Sequence, residues 1–256
     1  MFGEPLYEYF GVGARLIYLR HAQQRLPIQG EGYVKNVLEL FFKDLEKFPF
    51  TTTRVASQKL RAFYKSIKNK PVNYSLTDSE AKELAKIATE LTPIFEAESK
   101  HINTVVLIEK RYEIGKLMGN VAGLMAKGIF EALPEVAQKD MQEAGKCLAL
   151  HRATAAAFHT IRATESMLKK TYLHYIRRNR LKKPMWFSMV EALRKKSRNK
   201  PSGELLDQLD IIRKNYRNPT QHPEKIYDIE EAQDLFGNCV SALNLMTKSI
   251  KSKNTA

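Results

Sequence analysis

Residues 153–178 read ATAAAFHTIRATESMLKKTYLHYIRR, and this run decides the fold. Ala157, Ile161, Leu168, Tyr172 and Tyr175 recur at steps of three, four and seven, the spacing of one face of an α-helix. No proline or glycine interrupts the run, so the pattern predicts a long helix from about Ala153 to Arg178. Upstream, residues 135–150 predict a helix that opens just after Pro134. Downstream, Pro184 breaks the chain and residues 186–196 predict a short helix. Ser202 is placed to cap the next one, whose inner positions are Leu205, Leu206, Leu209 and Ile212. Pro219 is expected to end it, because the residue before a proline is pushed out of the α region. Asp228 and Glu231 form an acidic start for a last helix through Leu235, Val240, Leu243 and Met246.

The first half of the chain has the same character. Residues 33–48 carry Val34, Val37, Leu38, Phe41, Phe42 and Leu45 at helical spacing. Thr77-Asp78-Ser79-Glu80 reads as a capping box, with Pro93 expected to kink or end the helix it opens. Residues 102–108 (INTVVLI) are the best candidate for a strand. The expected class is all-α. The expected divisions are a mostly helical region at 1–132, an antiparallel helical bundle at 133–250 and a frayed tail at 251–256.

Composition excludes several functions. The 256 residues contain two cysteines, Cys147 and Cys239, which rules out a disulfide framework and a cysteine-rich zinc site. No GxGxxG or GxxxxGK[ST] occurs, so a standard phosphate-cradling loop is absent. No apolar run approaches the length of a membrane span, and MFGEPLYEYF lacks the basic start of a secretory signal. The expectation is a cytoplasmic protein with no membrane partner. His151 and His159 share nearly one helix face, but no third ligand accompanies them, so no metal site is read and no cofactor is expected.

The formal net charge is +14, and it is concentrated. Residues 169–200 hold twelve Lys or Arg against one acid, Glu191. Lys and Arg neutralise phosphates and aromatic faces stack on unpaired bases. Arg177, Arg178, Arg180, Lys182, Lys183 and Trp186 are therefore candidate RNA-binding residues. A soluble helical hairpin with its aromatics turned inward would carry the same composition.

One short segment could do chemistry: Arg217-Asn218-Pro219-Thr220-Gln221-His222. Arginine grips phosphate oxygens bidentately and keeps its proton. Histidine titrates near neutrality and can take or give one. Asn218 can donate an amide hydrogen bond. Arg followed by His after four to six residues arises three times in the chain, also at Arg15/His21 and Arg152/His159. Only Arg217 is followed by a polar residue and stands at an expected helix end.

In this context residues 133–250 resemble the HEPN family, α-helical bundles that include many metal-independent ribonucleases. The resemblance rests on Arg217, Asn218 and His222 as the Arg-polar-His hallmark. It extends to residues 153–165 (ATAAAFHTIRATE), to residues 144–149 (AGKCLA) and to Glu230-Glu231-Ala232. It implies an RNA substrate, no metal, and a homodimer whose two motifs face each other. His222 would assist attack by a ribose 2′-hydroxyl, and Arg217 would hold the charge that builds on phosphorus. It also implies a toxin or phage-defence effector. The alternative is a non-catalytic RNA-binding or interaction module, or a subunit held silent by an antitoxin-like regulatory protein. Glu165 is placed to orient Arg217 or His222, with His159 a secondary candidate. The competing role for Glu165 is a surface pair with Arg162, worth ~0.3 kcal/mol.

Overall fold

The structure is a computed structural model that describes residues 6–103, 105, 107–176, 181, 184–220, 222 and 224–251. It is all-α: among the described residues there are no strands beyond one isolated bridge between Pro27 and Ser75. No helix among them is long and apolar enough to cross a membrane. The described residues of 102–108 form no strand. Their β-branched side chains find no partner strand to pair with.

The chain divides into two compact units, Gly3–Val106 and Leu107–Ala256. In the first, α1 (Leu6–Arg20), α2 (Val34–Lys47), α3 (Thr51–Ala56), α4 (Gln58–Ile67) and α5 (Asp78–Ser99) enclose one core. Leu16, Leu38, Phe41, Leu45, Leu60 and Leu84 are buried in it. The Thr77/Glu80 capping box opens α5. That helix does not end at Pro93 but runs on to Ser99. Its last turn is held from outside: the Glu98 carboxylate accepts from the Thr52 N–H at 2.7 Å, the Thr53 N–H at 2.8 Å and the Thr51 hydroxyl at 3.2 Å. These bonds hold the Glu98 carboxyl down to about 2 although burial opposes them.

The second unit begins earlier than 133. Leu117, Val121, Met125, Ile129 and Leu133 all join its core. Gly145 permits this packing, because a Cβ there would lie 2.5 Å from the Leu117 carbonyl oxygen. The unit contains α6 (Ile114–Gly119), α7 (Glu135–Ala149), α8 (Ala153–Ile176), α9 (Trp186–Arg194), α10 (Gly203–Ile212), a short α11 (Asn218–Thr220) and α12 (Ile229–Lys251). Helix α8 lies against α7, α9 and α12. It buries Ala156, Ala157, Ile161, Ala163, Met167, Leu168 and Tyr172, so more than one stripe of it is apolar. The α7–α8 turn is a Schellman cap with His151 in the left-handed position (φ 60°). The Arg152 N–H donates to the Cys147 carbonyl at 2.7 Å and the His151 N–H to the Leu148 carbonyl at 3.1 Å. His151 therefore has a structural task of its own.

Candidate active site

Residues 217–220 of the motif are helical, not a loop. Helix α10 passes into a π turn at Arg213–Arg217, where the Asn218 N–H reaches back to the Arg213 carbonyl, and then into α11. Pro219 lies within α11 and does not end the helical path at Asn218. The physical reason is the widened turn. An extra residue per turn accommodates a ring that has no N–H to give and that would crowd a normal α turn.

This turn is fixed from behind by a buried hydroxyl cluster. The Tyr227 hydroxyl donates to the Tyr216 carbonyl at 3.1 Å and lies 2.7 Å from the Thr220 hydroxyl, which itself reaches the Tyr216 carbonyl at 2.7 Å. The Tyr227 N–H donates to the Thr154 hydroxyl on α8 at 3.1 Å. Burial pushes the Tyr227 hydroxyl above its ordinary range, so it stays protonated as the cluster requires. The Asp228/Glu231 pair then starts α12: the Glu231 N–H donates to Asp228 Oδ1 at 2.8 Å and the Asp228 N–H to Glu231 Oε2 at 3.3 Å.

Of the four candidate catalytic residues, the structure brings Arg217 and Glu165 together. Arg217 Nε is 3.8 Å from Glu165 Oε2, and the arginine side chain is 20% exposed. That distance gives charge attraction without a hydrogen bond. Among the described residues, Arg217 Nε is in fact buried with no hydrogen-bond partner. A buried donor left open is costly; the other such atoms among the described residues are hydroxyls of Tyr18, Thr53, Thr160 and Thr247, so Arg217 Nε is the charged one. Thr154 and Glu165 are eleven residues apart, about three turns, so they share one face of α8. The motif turn is anchored at both points of that face. His222 follows as an exposed residue in a turn, its N–H donating to the Pro219 carbonyl at 2.9 Å. Among the described residues, neither its ring nor the Asn218 amide has a hydrogen-bond partner. No described group of three or more His, Cys, Asp or Glu is arranged to hold a metal ion.

Arg162 does not pair with Glu165. It reaches across to Asp140 on α7, with Nε 2.7 Å from Oδ2 and Nη2 on Oδ1. His159 Nδ1 is 2.9 Å from the same Oδ1. Asp140 is 1% exposed. Burial alone would raise its carboxyl, but the bonds from Arg162 and His159 outweigh burial and lower it. The sequence reading missed this cluster, although a signal was present. Asp140 falls on the face of α7 that also carries Ala137, Met141, Ala144 and Leu148, and an acid on an apolar face needs a partner.

The candidate RNA-binding residues fare unevenly. Arg177, Arg178, Arg180, Lys182 and Lys183 lie outside the described residues. Trp186 is corrected: it is buried and its indole N–H donates to the Leu209 carbonyl at 3.1 Å, so its faces pack in the core and cannot stack on a base. Arg194, from the same basic window, is engaged by Asp207 at 2.8 Å and Asp210 at 3.2 Å. Phe187 is exposed, with the Arg213 guanidinium 4.9 Å from its ring centre.

The chain matches no protein-family model, no curated protein and no solved structure.

Proposed function

We propose that this chain is a metal-independent endoribonuclease of the HEPN type, acting as a toxin or phage-defence effector. One observation carries the reading: Arg217 Nε is buried beside Glu165 yet has no hydrogen-bond partner. Nε is shielded from solvent, so a phosphate would be met by the Nη groups of this guanidinium, on a side chain 20% exposed. The exposed His222 follows in the next turn.

In the proposed reaction the ribose 2′-oxygen bonds to the adjacent phosphorus and the P–O5′ bond breaks. The proton of the 2′-hydroxyl passes to a histidine, and the departing 5′-oxygen receives one. Arg217 offsets the charge that grows on the phosphorane oxygens. Asn218 supplies an amide donor to the same phosphate. The motif holds a single titrating group, so a homodimer with two facing motifs would provide both the base and the acid. Products are a 2′,3′-cyclic phosphate and a 5′-hydroxyl.

The test uses the full chain and a labelled single-stranded RNA in excess EDTA. Cleavage is expected to persist, to yield cyclic phosphate ends, and to vanish when the scissile nucleotide is 2′-deoxy. Cleavage lost in EDTA and restored by Mg²⁺ would overturn the chemistry. RNA bound but never cut by the wild-type chain would leave a binding module in its place.

A further inference from the structure

The Asp140 cluster leaves two polar groups turned outward. An ionised aspartate can only accept hydrogen bonds, so the proton of a neutral His159 must sit on Nδ1, facing Asp140. Its Nε2 is then bare, on a side chain 30% exposed. Arg162 uses Nε and Nη2 on Asp140 and keeps Nη1, on a side chain 66% exposed. Both groups are held by a carboxylate that is itself almost wholly buried, so their direction is set by the core and not by solvent.

Beside them stands Phe158, 50% exposed on the same helix. Residues four apart on a helix are neighbours, with Cβ atoms roughly 5–6 Å apart, which puts Phe158 next to Arg162. At ~100° per residue, Phe158 lies between the Glu165 face, against which the motif turn packs, and the Arg162 and His159 positions. Exposed Lys169 continues the strip one heptad beyond Arg162. An exposed ring with Arg162 one turn along, His159 beside it and Lys169 further along the same strip is unlike the core of a protein interface, where charge is depleted and apolar residues adjoin. It has the make-up of a platform for unpaired nucleotides, on which a base stacks while cations meet the flanking phosphates.

We infer that Phe158, His159 and Arg162 form a nucleotide subsite on α8 that binds one unpaired nucleotide of an RNA strand next to the Arg217 motif. Phe158 stacks on the base. Arg162 meets a phosphate through Nη1. His159 takes a hydrogen bond from a ribose hydroxyl at Nε2, which Asp140 keeps bare by holding the proton on Nδ1. The inference rests on the reading of RNA as the substrate, and its test separates the two.

The experiment measures binding of a fluorescently labelled unstructured oligoribonucleotide to the full chain carrying His222→Ala, which prevents cutting. On that background Phe158→Ala should weaken binding roughly five- to hundredfold, the range for loss of one stacked base. Arg162→Gln should weaken binding and lower the salt slope by about one. Asp140 leans on Arg162, so that variant can lose stability, and Phe158→Trp provides an independent probe. The chain has one native tryptophan, the buried Trp186. Fluorescence of the indole introduced by Phe158→Trp should be quenched as unlabelled RNA is added, a signal that a purely structural role would not produce. Unchanged affinity in Phe158→Ala with no quenching in Phe158→Trp overturns the subsite, whether or not the wild type cuts RNA. So does a change of oligomeric state in Phe158→Ala at constant RNA affinity, which would make this strip a protein contact. Weaker binding and quenching, with no cleavage by the wild type, would uphold the subsite and remove the ribonuclease reading alone.

Discussion

Each unit buries an aspartate and clasps it with an arginine from a neighbouring helix, and the two pairs behave in opposite ways. In the first unit Asp44, 4% exposed, is met by Arg15 Nη1 alone. Burial wins there, helped by the nearby Glu8, and the Asp44 carboxyl is raised. In the second unit Asp140 has Arg162 on both oxygens and His159 as well, and its carboxyl is lowered. The number of donors aimed at the carboxylate decides the sign, since desolvation acts on both. A second difference follows. The carboxylates of the first unit are saturated by their neighbours, Glu98 by Thr51, Thr52 and Thr53 and Glu80 by Thr77 and Tyr74, and the open buried groups there are the neutral hydroxyls of Tyr18 and Thr53. Among the described residues the second unit leaves open not only the Thr160 and Thr247 hydroxyls but also Arg217 Nε and the His222 ring. The chemistry is expected where the open groups are charged or titratable.

The largest effect tests that contrast. His222→Ala should reduce RNA cleavage by about 10²- to 10⁴-fold, the usual worth of general acid–base catalysis, with RNA affinity nearly unchanged. Glu98→Gln in the first unit should leave the cleavage rate within about twofold, since its partners are internal. Equal losses in the two variants, read by gel assay under single-turnover conditions, would end the assignment of function to the second unit.

Stability gives the next contrast. Asp140→Asn should cost about 1.5–3 kcal/mol, because it removes charge-assisted hydrogen bonds from two partners. Asp44→Asn should cost under ~1 kcal/mol, since the fold already disfavours that charge. Amide exchange of α7 and α8 for the first variant, and of α1 and α2 for the second, reads each unit separately. A larger cost at Asp44 would show that donor count is not what distinguishes the pairs.

Acid should then pull the two apart. The lowered Asp140 binds a proton less readily folded than unfolded. Its stabilisation is full above the unfolded value, near 3.8, and is lost as pH falls through the lowered folded value. The raised Asp44 reverses the sign: the folded state holds its proton longer, so its charge destabilises increasingly as pH rises from about 3.8 through the raised folded value. The cost of Asp140→Asn should therefore shrink on going from pH 6 to pH 3. Asp44→Asn should look most favourable, relative to wild type, at pH 6. Parallel trends in the two variants would contradict the opposite shifts.

The smallest effect concerns the α7–α8 turn that sets Asp140 against His159 and Arg162. His151→Gly should stabilise the second unit by up to about 1 kcal/mol, because glycine carries no Cβ strain at positive φ. A loss of stability in chemical melts would mean that the His151 side chain makes a contribution of its own.

The helices were legible because helix formation depends on near neighbours. The steps of three and four in α2, α8 and α12 and the caps at Thr77, Ser202 and Asp228 are all local patterns, and the structure has them in place. The prolines misled for the same reason. Pro93 and Pro219 carry the local signal of a helix end, but Glu98 bonding to another helix holds the first path and a π turn tied down by Tyr227 holds the second. The start of the second unit was equally hidden, because Leu117 to Ile129 fall within the helical region read as the first half until the core they join is seen. Of the candidate site, Arg217, Asn218 and His222 could be picked out from their order in the chain, and Glu165 was named as their orienting residue, but which of Arg217 and His222 it would face was decided only by the packing of α8.

The sequence by itself determined an all-α chain, the places where most helices begin, and a surplus of positive charge. All of these follow from residue type and short-range periodicity. The tertiary structure alone decided which side chains meet. Arg162 had Glu165 three residues away and took Asp140, twenty-two residues away, because burial of that carboxylate demanded charged donors more strongly than the half-buried Glu165, which faces Arg217, did. Trp186 sat in the most basic window of the chain and went into the core, because a large ring with one N–H is most stable where apolar contact and a carbonyl are found together. Partner choice is settled by desolvation and by the register of helices far apart in sequence, and neither quantity is written in any local stretch of residues.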